Sequence, residues 1–150
     1  MIGVTAVEAI KEEIALIIDL CVFVSLFCKI DPNHEKAMEI WRELFEKRNR
    51  VIIPALALPE VCGAIRRLAG KRFAYEARKE IMEWIESNIM LVEELTMERA
   101  IKTSEIAMKF RIKGGDAFFV LLAKEMSAKL LIFDEELKRK IGGPLDKNQR

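Results

Sequence analysis

The sequence predicts an α/β domain built on a parallel sheet, and three observations predict it. Short apolar runs recur at Ile14–Ile18, Val51–Ile53, Ile89–Val92 and Leu130–Phe133, each short enough for a strand and rich in Ile, Leu and Val. The stretches between them carry apolar residues at helical spacing. The first run closes on a lone carboxylate, Asp19. In open parallel sheets, ligand chemistry collects beyond the carboxyl ends of the strands. Strands alternating with helices give a parallel sheet with right-handed crossovers.

Taken in order, residues 1–13 read as an extension with a short helix around Val7 to Glu12. Ile14–Ile18 is the first strand, and Leu20–Lys29 is a helix apolar on nearly every side. Asp31-Pro32-Asn33 is a turn, with Asn33 placed to cap a helix running to about Lys47. Its inward stripe is Ala37, Ile40, Trp41, Leu44 and Phe45. Val51–Ile53 is a strand stopped by Pro54. The following helix either begins near Leu58 or kinks at Pro59, turns Val61, Ala64, Ile65 and Leu68 inward, and ends at Gly70. Phe73–Ser87 is helical, with Ala77, Ile81, Trp84 and Ile85 inward, and Ile89–Val92 is the third strand. Thr96 caps a helix to Phe110, Gly114-Gly115 makes a turn, and Asp116–Met126 is an apolar helix. Leu130–Phe133 is the fourth strand, Asp134 follows, and a charged helix runs to Lys140 before Gly142-Gly143-Pro144 breaks it.

Composition bounds the function. The 150 residues suit one domain with a sizeable core, and 51% hydrophobic with 33% charged residues is a globular balance. A net charge of +1 argues against tight non-specific binding to nucleic acid, while leaving room for local basic patches. Asp19 interrupts the one stretch long enough to resemble a membrane span, so no span is predicted and the protein is read as cytoplasmic. Cys21, Cys28 and Cys62 form no metal or disulfide pattern and read as small buried hydrophobes. Abundant Lys, Arg and Glu with scarce Gln and Asn resembles the usage of thermophile proteins.

Four carboxylates stand at element boundaries beside apolar neighbours: Asp19, Glu60, Asp116 and Asp134. Taken singly, Asp19, Asp116 and Asp134 can serve as helix caps, and Glu60 can be a first-turn acid favoured by the helix dipole. Taken together, all four fall at one edge of the sheet. Clustered carboxylates repel unless a cation joins them, and hard oxygen donors suit Mg²⁺ or Mn²⁺. Such an ion can activate water and polarise a phosphodiester.

Four segments carry a family resemblance: Ile17-Ile18-Asp19-Leu20-Cys21-Val22-Phe23, Leu58-Pro59-Glu60-Val61, Gly115-Asp116-Ala117 through Ala123-Lys124-Glu125, and Leu131-Ile132-Phe133-Asp134-Glu135-Glu136-Leu137. In these the chain resembles the PIN-domain family, including the VapC-type toxin ribonucleases. The resemblance implies a three-layer α/β/α fold with a central parallel sheet of four to five strands. It implies one PIN-like domain over residues 1–150, with a core of about 14–141, the extension 1–13 and a tail 142–150. It further implies an endoribonuclease that uses Mg²⁺ or Mn²⁺ held by Asp19, Glu60, Asp116 and Asp134, a homodimer, and a small antitoxin partner. Two positions depart from the family pattern. Cys21 stands where a hydroxyl or amide is usual, and Ile132 where Thr is frequent. Both departures remove polar support from the site. They keep a second reading open, an inactive PIN-like module that binds RNA or protein. A third reading, a phosphoryl-transfer enzyme with Asp19 as nucleophile, is disfavoured because Cys21 occupies the place of its usual second acid.

Arg66, Arg67, Lys71 and Arg72 form a basic cluster that could meet RNA phosphates or simply close a helix end. Lys109, Arg111 and Lys113 face the same choice, and Lys138-Arg139-Lys140 reads as a solvated helix. His34 reads as exposed, and Trp41 and Trp84 as core or dimer-interface residues.

Overall fold

A computed structural model describes residues 15–145, with side chains through 142. The expected helix in the extension and the last residues of the tail lie outside that range. Four strands, β1 (Ala15–Ile18), β2 (Arg50–Pro54), β3 (Met90–Glu93) and β4 (Lys129–Leu131), form one parallel sheet in the order β3-β2-β1-β4. Helices α1 (Leu20–Phe27), α2 (His34–Glu46), α3 (Ala57–Ala69), α4 (Lys71–Glu86), α5 (Met97–Phe110), α6 (Gly114–Glu125) and α7 (Glu135–Leu145) flank it. This is the α/β plan read from the sequence.

The two central strands explain the Ile-rich runs. Ile17, Ile18, Val51, Ile52 and Ile53 are all buried, as strands covered on both faces require. Helix α6 packs against β1, β2 and β4, and α5 covers α6. Its run Ala117–Leu122 is buried throughout, which accounts for its weak amphipathicity. Half-buried Arg99 of α5 ties Glu93 at the end of β3 to Glu125 at the end of α6, at 2.9 and 3.0 Å. Trp41 and Trp84 are partly buried, their ring centroids 4.4 Å apart, and join α2 to α4.

Several local expectations give way to packing. Pro59 is the third residue of α3, where the N–H it lacks would have had no helical acceptor, so no kink is needed. Leu68 is 58% exposed and Phe45 lies partly in solvent, so both stripes are narrower than their spacing implied. Asn33 does not cap α2 with its side chain. Asp31 takes over the turn, accepting hydrogen bonds from Ser25 Oγ and the Asn33 N–H. His34 is half-buried rather than exposed, and its Nδ1 meets the Ser25 carbonyl at 2.9 Å. Cys28 is buried as expected, but Cys21 is exposed. Gly114 and Gly115 are the first two residues of α6 and not a turn. Strand β4 stops at Leu131, and α7 continues through Gly142-Gly143-Pro144 to Leu145. Leu137 and Ile141 anchor α7 in the core.

Candidate active site

The site begins with the junction between β1 and α1. The Asp19 N–H donates to the Leu131 carbonyl at 3.0 Å, which continues the β1–β4 ladder by one bond and fixes the Asp19 backbone. Its side chain occupies the N-cap position of α1 without making the usual capping bond. The residue is only 2% exposed. Burial, then the charge of Asp116, pushes its pKa up to about 6, and hydrogen bonding from the Leu20 N–H and from the thiol and N–H of Cys21 opposes the rise.

Asp116 comes from the far end of the chain. It is the third residue of α6, with Lys113 at the N-cap position, so it is not the cap its sequence context allowed. Burial raises its pKa; the charge of Lys113 opposes that, Asp134 adds to it, and Lys140 opposes it again. Glu60, in the first turn of α3, is likewise raised by burial and then by Asp116. A Cβ built on Gly115 would lie 3.6 Å from Glu60 Oε1, so the first turn of α6 runs directly past that carboxylate. Asp134 stands apart in its local role. It is exposed, and its Oδ1 accepts the Leu137 N–H at 3.1 Å, capping α7.

Asp116 is therefore the hub. Asp19 and Glu60 each feel its charge, and it feels that of Asp134. Cys21 lies within the same field. The residue is exposed overall, but its thiol is partly desolvated against the acids; that, followed by the charges of Asp19, Asp134 and Asp116, pushes the thiol up to about 11. Two cations at the rim, Lys113 and Lys140, were not singled out as site residues by the sequence reading. Lys140 was read as part of a solvated helix, yet it acts on Asp116 while pairing with Glu136 at 3.2 Å. The helical period that buries Leu137 and Ile141 also sets the place of Lys140 beside them, and that was the signal available.

The donor chemistry fits a hard divalent cation. Asp116 raises the proton affinity of Asp19 and Glu60, Asp134 raises that of Asp116, and a cation would relieve that repulsion. Among the described residues, no three His, Cys, Asp or Glu side chains are drawn together tightly enough to form a finished metal cage. The fold thus brings Asp116 into electrostatic range of the other three acids, and the described residues do not close into a coordination shell.

Residues 16–142 match the PIN domain family. The chain belongs to that family. Among solved structures, this PIN domain is similar to VapC20 of Mycobacterium tuberculosis, described as a sarcin–ricin loop cleaving toxin. The two are 19% identical with a TM-score of 0.71, over 83% of this chain and 93% of the other. It is also similar to a protein of Pyrobaculum aerophilum, at 17% identity and a TM-score of 0.62, over 87% of this chain and 82% of that one. No curated protein sequence matches it.

The basic cluster divides. Arg66 and Lys71 line a groove between α3 and α4, and Arg67 folds back along α3. Arg72 instead bonds Glu76 at 2.9 Å and borders a different groove with Leu26, Phe73 and Trp84. No helix among the described residues is long and apolar enough to cross a membrane.

Proposed function

We propose that this PIN domain is a metal-dependent endoribonuclease that hydrolyses RNA phosphodiesters with Mg²⁺ or Mn²⁺. The observation that carries the reading is the convergence on Asp116 of acids from four separate segments: its charge acts on Asp19 and Glu60, that of Asp134 acts on it, and the first turn of α6 runs past Glu60. Asp19 and Asp116 are the primary ligands, Glu60 completes the set, and Asp134 binds directly or through water. When bound, the ion supplies Lewis-acid polarisation of the phosphodiester and activation of water. The protein's own part is to hold the carboxylates in place. The Asp19–Leu131 backbone bond fixes one ligand, and the start of α6 fixes another. The charges of Lys113 and Lys140 oppose the rise in the Asp116 pKa and lend positive charge to the rim.

RNA is favoured as substrate class because VapC20 is described as a toxin that cleaves an RNA loop. A toxin role with a small antitoxin partner, a homodimer, a cytoplasmic location and a thermophilic source extend the same proposal. The second reading, an inactive module binding RNA or protein, draws on the unclosed ligand set and on Cys21 and Ile132.

One experiment separates the two. Single-stranded RNA is incubated with the protein and Mn²⁺, Mg²⁺ or EDTA, alongside calorimetric titration with Mn²⁺. Cleavage that needs the ion and is lost in Asp116→Asn supports the nuclease. Intact RNA together with no heat of Mn²⁺ binding supports the inactive module.

A further inference from the structure

Helices α3 and α4 meet at Gly70 with no loop between them, and Gly70 takes the turn at a φ of 98°. The joint opens a groove of about 650 Å³ whose lining includes Cys62, Gly63, Arg66, Lys71, Tyr75 and Arg78. Three of these side chains are cations, and no carboxylate is among the described lining residues. Some cations elsewhere on the surface are matched. Lys47, Arg72, Lys79, Arg99, Lys102, Lys138 and Lys140 each hold a carboxylate within 4.0 Å. Among the described residues, Arg66, Lys71 and Arg78 take part in none of these ion pairs. Tyr75 is 64% exposed, and the Lys71 ammonium lies 5.8 Å from its ring centroid. That leaves an aromatic face in a cationic setting, the combination that single-stranded nucleic acid uses for phosphate contact and base stacking.

The groove is joined to the acids by α3 itself. Glu60, Gly63 and Arg67 are spaced by three and four residues along one face of the helix. A Cβ on Gly63 would lie 3.3 Å from Arg67 Nη1, so the guanidinium lies back over Gly63 in the direction of Glu60. Arg66 is six residues beyond Glu60, about 9 Å along the helix axis. It also lies about 120° around the axis from Glu60, so a strand that touches both places wraps partly round α3 by way of Gly63.

We propose that the α3–α4 groove is a binding site for single-stranded RNA, holding the strand next to the bond presented to the acids. Arg66, Lys71 and Arg78 contact phosphates, and a base stacks on Tyr75. This deepens the nuclease reading and rests on it for the path of the strand. Arg72, held by Glu76, lies outside the site.

The test uses full-length Asp116→Asn protein, so that RNA stays intact, and a fluorescein-labelled single-stranded RNA followed by anisotropy across a salt series. Replacing Arg66, Lys71 and Arg78 together by Ala weakens binding about tenfold or more at low salt. It also makes the slope of log K against log salt shallower by about 2, at roughly 0.7 for each phosphate no longer neutralised. Tyr75→Ala weakens binding about fivefold or more with the slope unchanged, while Tyr75→Phe binds as the parent does. Arg72→Ala changes neither. All these side chains are solvent-facing, and circular dichroism verifies the fold of each variant.

An unchanged slope in the triple variant overturns the groove assignment, even if the native enzyme cleaves RNA. A reduced slope supports it, even if no divalent ion gives cleavage; that combination leaves an RNA-binding groove and removes the nuclease. Binding of an acidic peptide with the same residue dependence, and no binding of RNA, overturns it in favour of a protein partner.

Discussion

Asp19 and Asp134 occupy matching places in the sequence, each following an apolar run and opening a helix, yet the structure uses them differently. Asp134 sits three residues past the end of β4, is exposed, and accepts the Leu137 N–H as an ordinary cap. Asp19 directly follows β1, is buried, and leaves its own helix without a capping bond. A third acid at the same sheet edge, Glu93, is neutralised by Arg99 at 2.9 Å. Position at the sheet edge therefore does not identify a functional acid. What marks Asp19 is a carboxylate buried in the field of a second acid, Asp116, because such a charge costs stability unless something else gains from it.

The largest effect expected from breaking this contrast is on chemistry. Asp19→Asn and Asp116→Asn each lower RNA cleavage on the order of 10²-fold or more while keeping the fold, in line with removal of one preorganised group. Asp134→Asn, which preserves the cap, loses less. Single-turnover cleavage assays on the three variants rank them, and an equal loss at Asp134 would erase the distinction drawn between the two junctions.

Stability runs the other way. The folded-state pKa of Asp19 is raised to about 6 from 3.8, so the folded protein binds that proton more tightly than the unfolded chain does. The contribution of Asp19 to stability therefore falls as pH climbs from about 4 to about 6, and above that range the full penalty remains. Asp19→Asn removes it. The metal-free variant is more stable than the parent at pH 7 by up to about 3 kcal/mol, taking 1.36 kcal/mol per pKa unit, and the gain disappears below about pH 4. Urea denaturation across that range measures it. In the same window, cleavage at limiting Mn²⁺ rises as pH passes about 6 and Asp19 loses its proton.

Asp134→Ala costs about 1 kcal/mol through loss of the α7 cap, whereas Asp134→Asn is nearly neutral. Thermal melts of the two variants separate the structural role of this residue from any role in catalysis. The smallest effect concerns Cys21. Its thiol is held up at about 11 by burial and the neighbouring carboxylates, so iodoacetamide modifies it slowly at pH 8. Asp116→Asn removes one of those charges and speeds the reaction several-fold, read by mass spectrometry. An unchanged rate would show that Asp116 and Cys21 do not share a field.

The sheet was legible because strands buried on both faces write themselves as unbroken apolar runs, as Ile17–Ile18 and Val51–Ile53 do. The placement of Asp116 was only half legible. Its neighbourhood was evident, but the Gly114-Gly115 pair reads as a turn, and nothing local says that α6 starts there with Lys113 as its first flank. The ends of β4 and α7 were misjudged for a similar reason. Phe133 continues an apolar run although the strand has stopped, and the anchoring of Leu137 and Ile141 is a tertiary effect that a Gly-Gly-Pro motif does not reveal. The split of Arg72 from Arg66 and Lys71 depends on which way each leaves the α3–α4 joint, a matter of three dimensions alone.

The sheet order has a further consequence for a growing chain. Among the described residues, β4, the last strand, pairs with β1, the first. The bond that locks Asp19 in place comes from Leu131, and Asp116 itself belongs to the helix just before β4. The four acids therefore come together only after the chain has been made through Asp134.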